Sequence, residues 1–193
     1  MTARPVLRFA PSPNGRLHLG HAYSALFTAH AAAGLGGSFL LRIEDIDPAR
    51  SKPEFEAGIF EDLAWLGLAW PAPVLRQSAR IAAYAAAAQV LKSRGLLYPC
   101  FCSRQSVAGV AADTDPGGAP LYSGACRRLA DDEAAERIAR GERAQWRLKM
   151  DLAVAEAGAL AIMEAPASNS RALWNEAVRR PAHPLRWGDA VLV

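Results

Sequence analysis

One junction constrains this chain more than any other: the passage from VLRFA (Val6–Ala10) into PSPNGRLHLGHAYSAL (Pro11–Leu26). A short apolar run closed by Pro-x-Pro reads as a buried strand ending in a loop. From about His18 to Ala33 the spacing turns helical, with Leu19, Tyr23, Leu26, Phe27 and Ala31 on one side and Gly34 as a stop. SFLLRIEDID then supplies a second strand, Phe39–Ile43, that ends in acids. Ser51 opens SKPE, a capping box with Pro53 in the first turn, and Phe55, Ile59, Leu63 and Leu66 form the buried stripe of the helix that follows, ended by Gly67. Ser78 opens a third helix, with Ile81, Ala85, Ala88 and Leu91 inward and Gly95 as its stop. Strand, helix, strand, helix with short links predicts a parallel sheet covered by helices, the α/β layout that binds nucleotides.

In such a layout the loop after the first strand is the place for a phosphate. Unpaired N–H groups and the positive end of the helix dipole point into the crevice there. Gly15 and Gly20 allow close backbone approach, and His18 and His21, three apart, share a face of the first turn. The dipole disfavours a lone added cation at that end. A polyphosphate reverses the sign, and the imidazoles can then donate to oxygens that gather charge during an in-line displacement. The alternative at this point is two surface histidines on an ordinary helix.

The remaining composition sets bounds. The 193 residues are 51% apolar and 21% charged, as in a globular protein with a core. No apolar run approaches the roughly 18 residues of a membrane span, and MTARPVLRF has no signal-peptide pattern, so the expectation is a cytoplasmic protein with no membrane partner. The net charge of +3 permits an anionic partner. It is carried almost wholly by arginine, with lysine only at 52, 92 and 149. Arginine suits phosphate contacts, although a compositional bias would give the same excess.

From Tyr98 the texture changes. YPCFCSRQSVAGVAADTDPGGAPLYSGACRR has no sustained period and reads as an insertion held by something other than a core. A short helix is expected over Asp132–Arg140, capped by Asp131. AQWRLKMD alternates and predicts a half-buried antiparallel strand. Leu152–Arg186 reads as loop-rich, and RWGDAVLV closes the chain on a strand-like run, which suggests a fragment. An odd cysteine count without an export signal argues against a disulfide framework. Cys100, Cys102 and Cys126 suit zinc, but no histidine lies near them in sequence to complete a tetrahedron; three buried thiols are the alternative.

PSPNGRLHLGH resembles the HIGH signature of class I aminoacyl-tRNA synthetases, and RFAPSP followed by LRIEDIDPAR is specific to their glutamyl/glutaminyl group. PNGRLHLGHAYSAL is most similar to the glutamyl-queuosine tRNA(Asp) synthetases, which resemble the catalytic half of a glutamyl-tRNA synthetase; Asn14 and His21 depart from the standard glutamyl form in that direction. The resemblance runs from about Val6 to Trp187. It implies an α/β fold: a Rossmann-type parallel sheet with helices on both faces, interrupted by a zinc-stapled insertion and a small α+β acceptor-type module. Residues 1–97 would form the first half of the catalytic domain, 98–178 the insertion and module, and 179–193 the start of the return segment.

The same resemblance assigns roles. His18 and His21 would contact ATP phosphates, in a loop with Pro11, Gly15 and Gly20; Arg8, Phe9, Ala10, Pro11 and Ser12 would hold L-glutamate, with Glu44 on its ammonium; Asp45 and Asp47 would be structural. Cys100, Cys102, Tyr122 and Cys126 would bind one structural zinc, the tyrosine as fourth ligand. The implied reaction joins glutamate to ATP, with Mg2+, as glutamyl-adenylate, and passes glutamate to queuosine in tRNA(Asp). A monomer is expected. A KMSKS-like second signature does not occur in these residues, so the chain is expected to be C-terminally incomplete and weak or inactive alone. Other readings are a catalytic fragment of an ordinary glutamyl-tRNA synthetase, a nucleotidylyltransferase, and a zinc-containing RNA-binding module without activity.

Overall fold

The computed structural model describes residues 4–164 and 177–192. The chain divides into two compact units, Met1–Ala83 with Ala165–Ala177, and Tyr84–Glu164 with Val178–Val193.

The first unit is built on β1 (Val6–Phe9), α1 (Leu19–Gly34), β2 (Ser38–Ile43), α2 (Pro53–Trp65) and β3 (Leu75–Arg76). The strands are parallel in the order β1-β2-β3, with Phe9 opposite Leu41 and Ile43 opposite Arg76. Two crossovers running in the same direction put both helices on one face of the sheet. One buried cluster follows from this: Phe9, Leu41 and Ile43 from alternate strand positions, Ala25 from α1, and Ile59 and Leu63 from α2. The parallel sheet with helices is as expected, but the two described helices that pack on it, α1 and α2, share one face rather than covering both. Arg8, on the opposite face of β1, is exposed.

Local details depart from the sequence reading for identifiable reasons. In α1 the buried residues are Ala25 and Ala32, while Leu19, Tyr23 and Phe27 are exposed, Leu19 at 86%. Small side chains let the helix axis approach the sheet, so the alanine face wins over the larger one. The rings of Tyr23 and Phe27 instead stack on each other at 6.1 Å. In α2 the cap is Lys52, without a side-chain bond, and Ser51 forms no capping box. The tight turn in which Ser51 N–H donates to Asp47 O at 2.9 Å, and the bond from Lys52 N–H to Pro13 O at 3.0 Å, move the helix start one residue on. Pro53 sits in the first turn as expected. A 3-10 turn, Ser78–Arg80, leads into α3 (Ile81–Ser93), which carries the boundary between the units; only its Ala88 is buried, and Ile81 and Ala85 are exposed.

The second unit pairs β4 (Leu97–Cys100) with β5 (Gln145–Leu148), antiparallel as the alternation predicts, with Cys100 opposite Gln145. Between them lie α4 (Arg104–Val110), a 3-10 turn (Ala125–Arg128) and α5 (Asp131–Ala139). Asp131 is the first residue of α5 and Ala130 its cap, so the expected side-chain cap is not made. The stretch read as loop-rich contains α6 (Met150–Ala157) and an antiparallel hairpin of β6 (Ala161–Glu164) and β7 (Val178–Pro181); residues 165–176 lie outside the described ones. Asp189 ties the closing segment down. It accepts from Met150 N–H at 2.9 Å at the start of α6 and from the Tyr98 hydroxyl at 2.8 Å, and it faces Arg127 at 3.3 Å. The closing run makes one bridge, Val191 to Arg147.

Candidate functional site

The parallel register brings the C-terminal ends of β1 and β2 side by side. Glu44 N–H donates to Pro11 O at 3.0 Å, which fixes the loop after β1 against the acids after β2. Pro11 and Pro13 are buried, so the Pro-x-Pro segment is packed rather than loose. Arg16 holds the far end of the loop, reaching Asp62 at 2.8 Å and Glu61 at 3.3 Å on α2. Gly58 makes room for it, since a Cβ there would fall 2.3 Å from the guanidinium.

The two histidines cap α1 and do so reciprocally. His18 is the cap residue, and its Nδ1 accepts from Gly20 N–H at 3.1 Å. His21 Nδ1 accepts from His18 N–H at 3.3 Å. Their rings lie 3.9 Å apart. A neutral imidazole whose Nδ1 accepts must carry its proton on Nε2. Both rings are thereby set in one tautomer, each with an Nε2–H donor to offer. Burial, and then the neighbouring His18, holds His21 below the ordinary histidine pKa, which favours this neutral form. Gly20 gives the imidazole room: a Cβ would sit 3.1 Å from His18 Cε1, close enough that the ring would have to shift by a few tenths of an ångström. Gly15 is not, having nothing within 4 Å of that position and no positive φ.

Beside the loop is a cavity of about 220 Å³ lined by Ser12, Asn14, Glu44, Ile46, Asp47, Arg50, Ser51 and Gln77. Glu44 Oε1 pairs with Arg42, leaving Oε2 for a ligand. Arg50 Nε pairs with Asp47 at 2.6 Å, and this contact holds the Asp47 carboxyl below the usual range. Burial raises the Asp45 carboxyl, but hydrogen bonds from Ser78 outweigh it and the net direction is down. The structure therefore brings Ser12 and Glu44 together. Arg8, Phe9, Ala10 and Pro11 do not line this cavity; Phe9 and Pro11 are buried. Gln77 lines it although no sequence motif marks it, Arg50 lines it without a role expected from sequence, and Ser51, expected only as a helix cap, lines it too. Gln77 arrives through the β2–β3 pairing, its N–H donating to Ile43 O at 3.0 Å.

The second unit holds a cluster of acidic groups. The Sγ atoms of Cys100, Cys102 and Cys126 lie within 4.8 Å of one another, and Cys102 and Cys126 are 3.5 Å apart. Tyr122 joins them: its hydroxyl accepts from Cys126 N–H at 2.7 Å. Burial and the neighbouring Cys126 push the Cys102 thiol up to about 11. Burial also raises Cys100, yet hydrogen bonds from Tyr122 and Arg147 bring its thiol below the ordinary value. Burial, then Cys100, drives the Tyr122 phenol upward. Tetrahedral zinc with Zn–S bonds of about 2.3 Å needs sulfurs roughly 3.8 Å apart, so the spacing of these donors fits that ion.

Comparison with known proteins decides the family. A match to tRNA synthetases class I (E and Q), catalytic domain, covers residues 6–159. The chain belongs to this family. It is 46% identical over 159 residues to a glutamyl-Q tRNA(Asp) synthetase of Rhodobacter capsulatus, covering 79% of this chain and 56% of that protein. It is 49% identical over 148 residues to glutamate–tRNA ligase 2 of a Methylobacterium species, covering 76% of this chain and 33% of that one. A crystal structure of a glutamate tRNA ligase from Elizabethkingia meningosepticum, in complex with its amino acid, matches 99% of this synthetase-family chain and 38% of its own length, with a TM-score of 0.67 at 26% identity. The chain thus spans about half, or less, of the relatives it matches. Among the described residues, no helix is long and apolar enough to cross a membrane.

Proposed function

We propose that this chain carries the amino-acid and ATP-phosphate sites of a glutamate-activating synthetase, and that the glutamyl group goes to queuosine in tRNA(Asp). The observation that carries the reading is the reciprocal histidine cap. It commits both Nδ1 atoms to the helix and leaves two Nε2–H donors, from His18 and His21, at the positive end of α1. ATP brings the negative charge this end favours. Glutamate's carboxylate is the nucleophile on the α-phosphorus, so the protein supplies position and charge stabilisation rather than a reacting side chain. Glu44 Oε2 would receive the substrate ammonium, Ser12 and Gln77 would offer neutral hydrogen bonds, and the exposed Arg8 would meet a carboxylate. Mg2+ would accompany the nucleotide as part of the substrate.

Cys100, Cys102, Tyr122 and Cys126 would hold one zinc ion, which when bound supplies a structural cross-link for the segment between β4 and α5. Four anionic donors in a tetrahedron suit this ion, and a dication reverses the upward pressure on the phenol.

The test is calorimetric titration with a non-reactive glutamyl sulfamoyl-adenosine. One site per chain is expected, weakened about ten- to a hundredfold in Glu44→Gln through loss of a charged hydrogen bond. Absence of binding would overturn the reading. The high identity to a glutamate–tRNA ligase favours a second acceptor, tRNA(Glu). Transfer of labelled glutamate to queuosine-containing tRNA(Asp), to queuosine-free tRNA(Asp) and to tRNA(Glu) separates the two.

A further inference from the structure

Arg147 lies on β5, in a run whose alternation assigns it to the polar side, yet it is half-buried. Its contacts account for this. Nε donates to Cys100 Sγ at 3.2 Å. The guanidinium lies over the Tyr122 ring, 3.9 Å from the centroid. A third group, the terminal nitrogen, donates to Asp189 O at 2.7 Å. One planar cation therefore touches two members of the cysteine–tyrosine cluster and is itself held by the closing segment. The two faces of the contact differ: the edge of the guanidinium gives a hydrogen bond to sulfur, and its plane covers the phenol ring.

The charge of the cluster gives that placement a purpose. Three thiolates and a phenolate around a dication leave two negative charges uncompensated in a half-buried site. Burying such charge is costly unless it is paired. Other donors to the sulfurs are neutral: Phe101 N–H reaches Cys126 Sγ at 3.4 Å. Arg147 is the cation in direct hydrogen-bond contact with a sulfur among the described residues.

We propose that Arg147 is a positioning residue for the metal centre, orienting Cys100 and Tyr122 and offsetting the negative charge of the bound site. The proposal rests on the metal reading above. The position also links the metal to the chain's end, because the same side chain fixes Asp189, whose carboxylate holds the first turn of α6.

The experiment compares the full chain with Arg147→Lys, which keeps the charge, and Arg147→Gln, which keeps an N–H donor for the Asp189 carbonyl. Zinc affinity is read by competition with the chromophoric chelator 4-(2-pyridylazo)resorcinol, and Co2+-loaded protein gives the thiolate charge-transfer band. Circular dichroism confirms that each variant is folded. Orienting partners of metal ligands typically contribute about 10- to 100-fold in affinity, so a loss of that size is expected in Arg147→Gln with partial recovery in Arg147→Lys. The charge-transfer band should move to longer wavelength in Arg147→Gln, because a sulfur without its hydrogen bond is oxidised more easily. Should Arg147→Gln fail to fold, the folded Arg147→Lys variant alone tests the orienting role, since its compact ammonium cannot both reach sulfur and cover the ring. Wild-type affinity and an unmoved band in the folded variants would overturn the role of Arg147. Wild-type protein that takes up neither Zn2+ nor Co2+ would instead overturn the metal reading itself.

Discussion

His18 performs two tasks that a pair of substitutions can separate. Its Nδ1 caps α1 by accepting from Gly20 N–H at 3.1 Å, and its Nε2 is proposed to donate to phosphate. His18→Ala removes both. Loss of a helix cap costs about 1 kcal/mol, within a range of roughly 0.5–2. In a chain of 193 residues that corresponds to a melting midpoint lowered by on the order of 2–4 °C. His18→Asn keeps the cap, since an asparagine side-chain oxygen is among the best acceptors at this position, but its short side chain has no group where Nε2 stood. Thermal unfolding and ATP titration are the paired assays. His18→Asn is expected to melt within about 1 °C of wild type, the cap being retained, while losing ATP affinity to the same extent as His18→Ala. Equal destabilisation of both variants would show that the ring, rather than its acceptor, supports the helix. Unchanged ATP affinity in His18→Asn would refute the donor role.

Further expectations follow from the same geometry. His21 has a folded-state pKa below its ordinary value of 6.5, so its contribution to stability is complete above that pH and is lost as pH falls through the lowered value. Denaturant unfolding between pH 8 and 5 should show this loss, His21→Gln should flatten it, and an unaltered slope in that variant would count against the lowered pKa of His21. Gly20→Ala should bind ATP more weakly, because its Cβ would meet His18 Cε1 at 3.1 Å and displace the ring; wild-type affinity would contradict the crowding. Cys126→Ser should reduce zinc, measured by atomic emission, from one ion per chain to near none, and retention of the full complement would exclude this cluster as the site.

The first strand, its loop and α1 were legible because proline, glycine and helical spacing act locally. Which face of α1 is buried was not. The helix LGHAYSALFTAHAAAG is rich in alanine, and the approach of the sheet selected Ala25 and Ala32 over the larger Tyr23 and Phe27. The β6–β7 hairpin left no pattern, since every residue in both strands is exposed and alternation has nothing to report. Ser12 and Glu44 were readable from their motifs, but Gln77 reaches the cavity only through pairing of β2 with β3, a contact far apart in sequence. The cysteines announced themselves by type. Arg147 was hidden because its strand alternates correctly and its partners, Cys100, Tyr122 and Asp189, come from three other segments.

The synthetase reading depends on the first turn of α1 presenting two imidazoles with their protons on Nε2. Nitrogen-15 NMR of the histidine rings measures this directly, with His30 and His183 as internal references. His18 and His21 should show an unprotonated Nδ1 and a protonated Nε2, with Nε2 signals that move when Mg2+–ATP is added. Protons on Nδ1, or Nε2 signals that stay in place at saturating nucleotide, would contradict it.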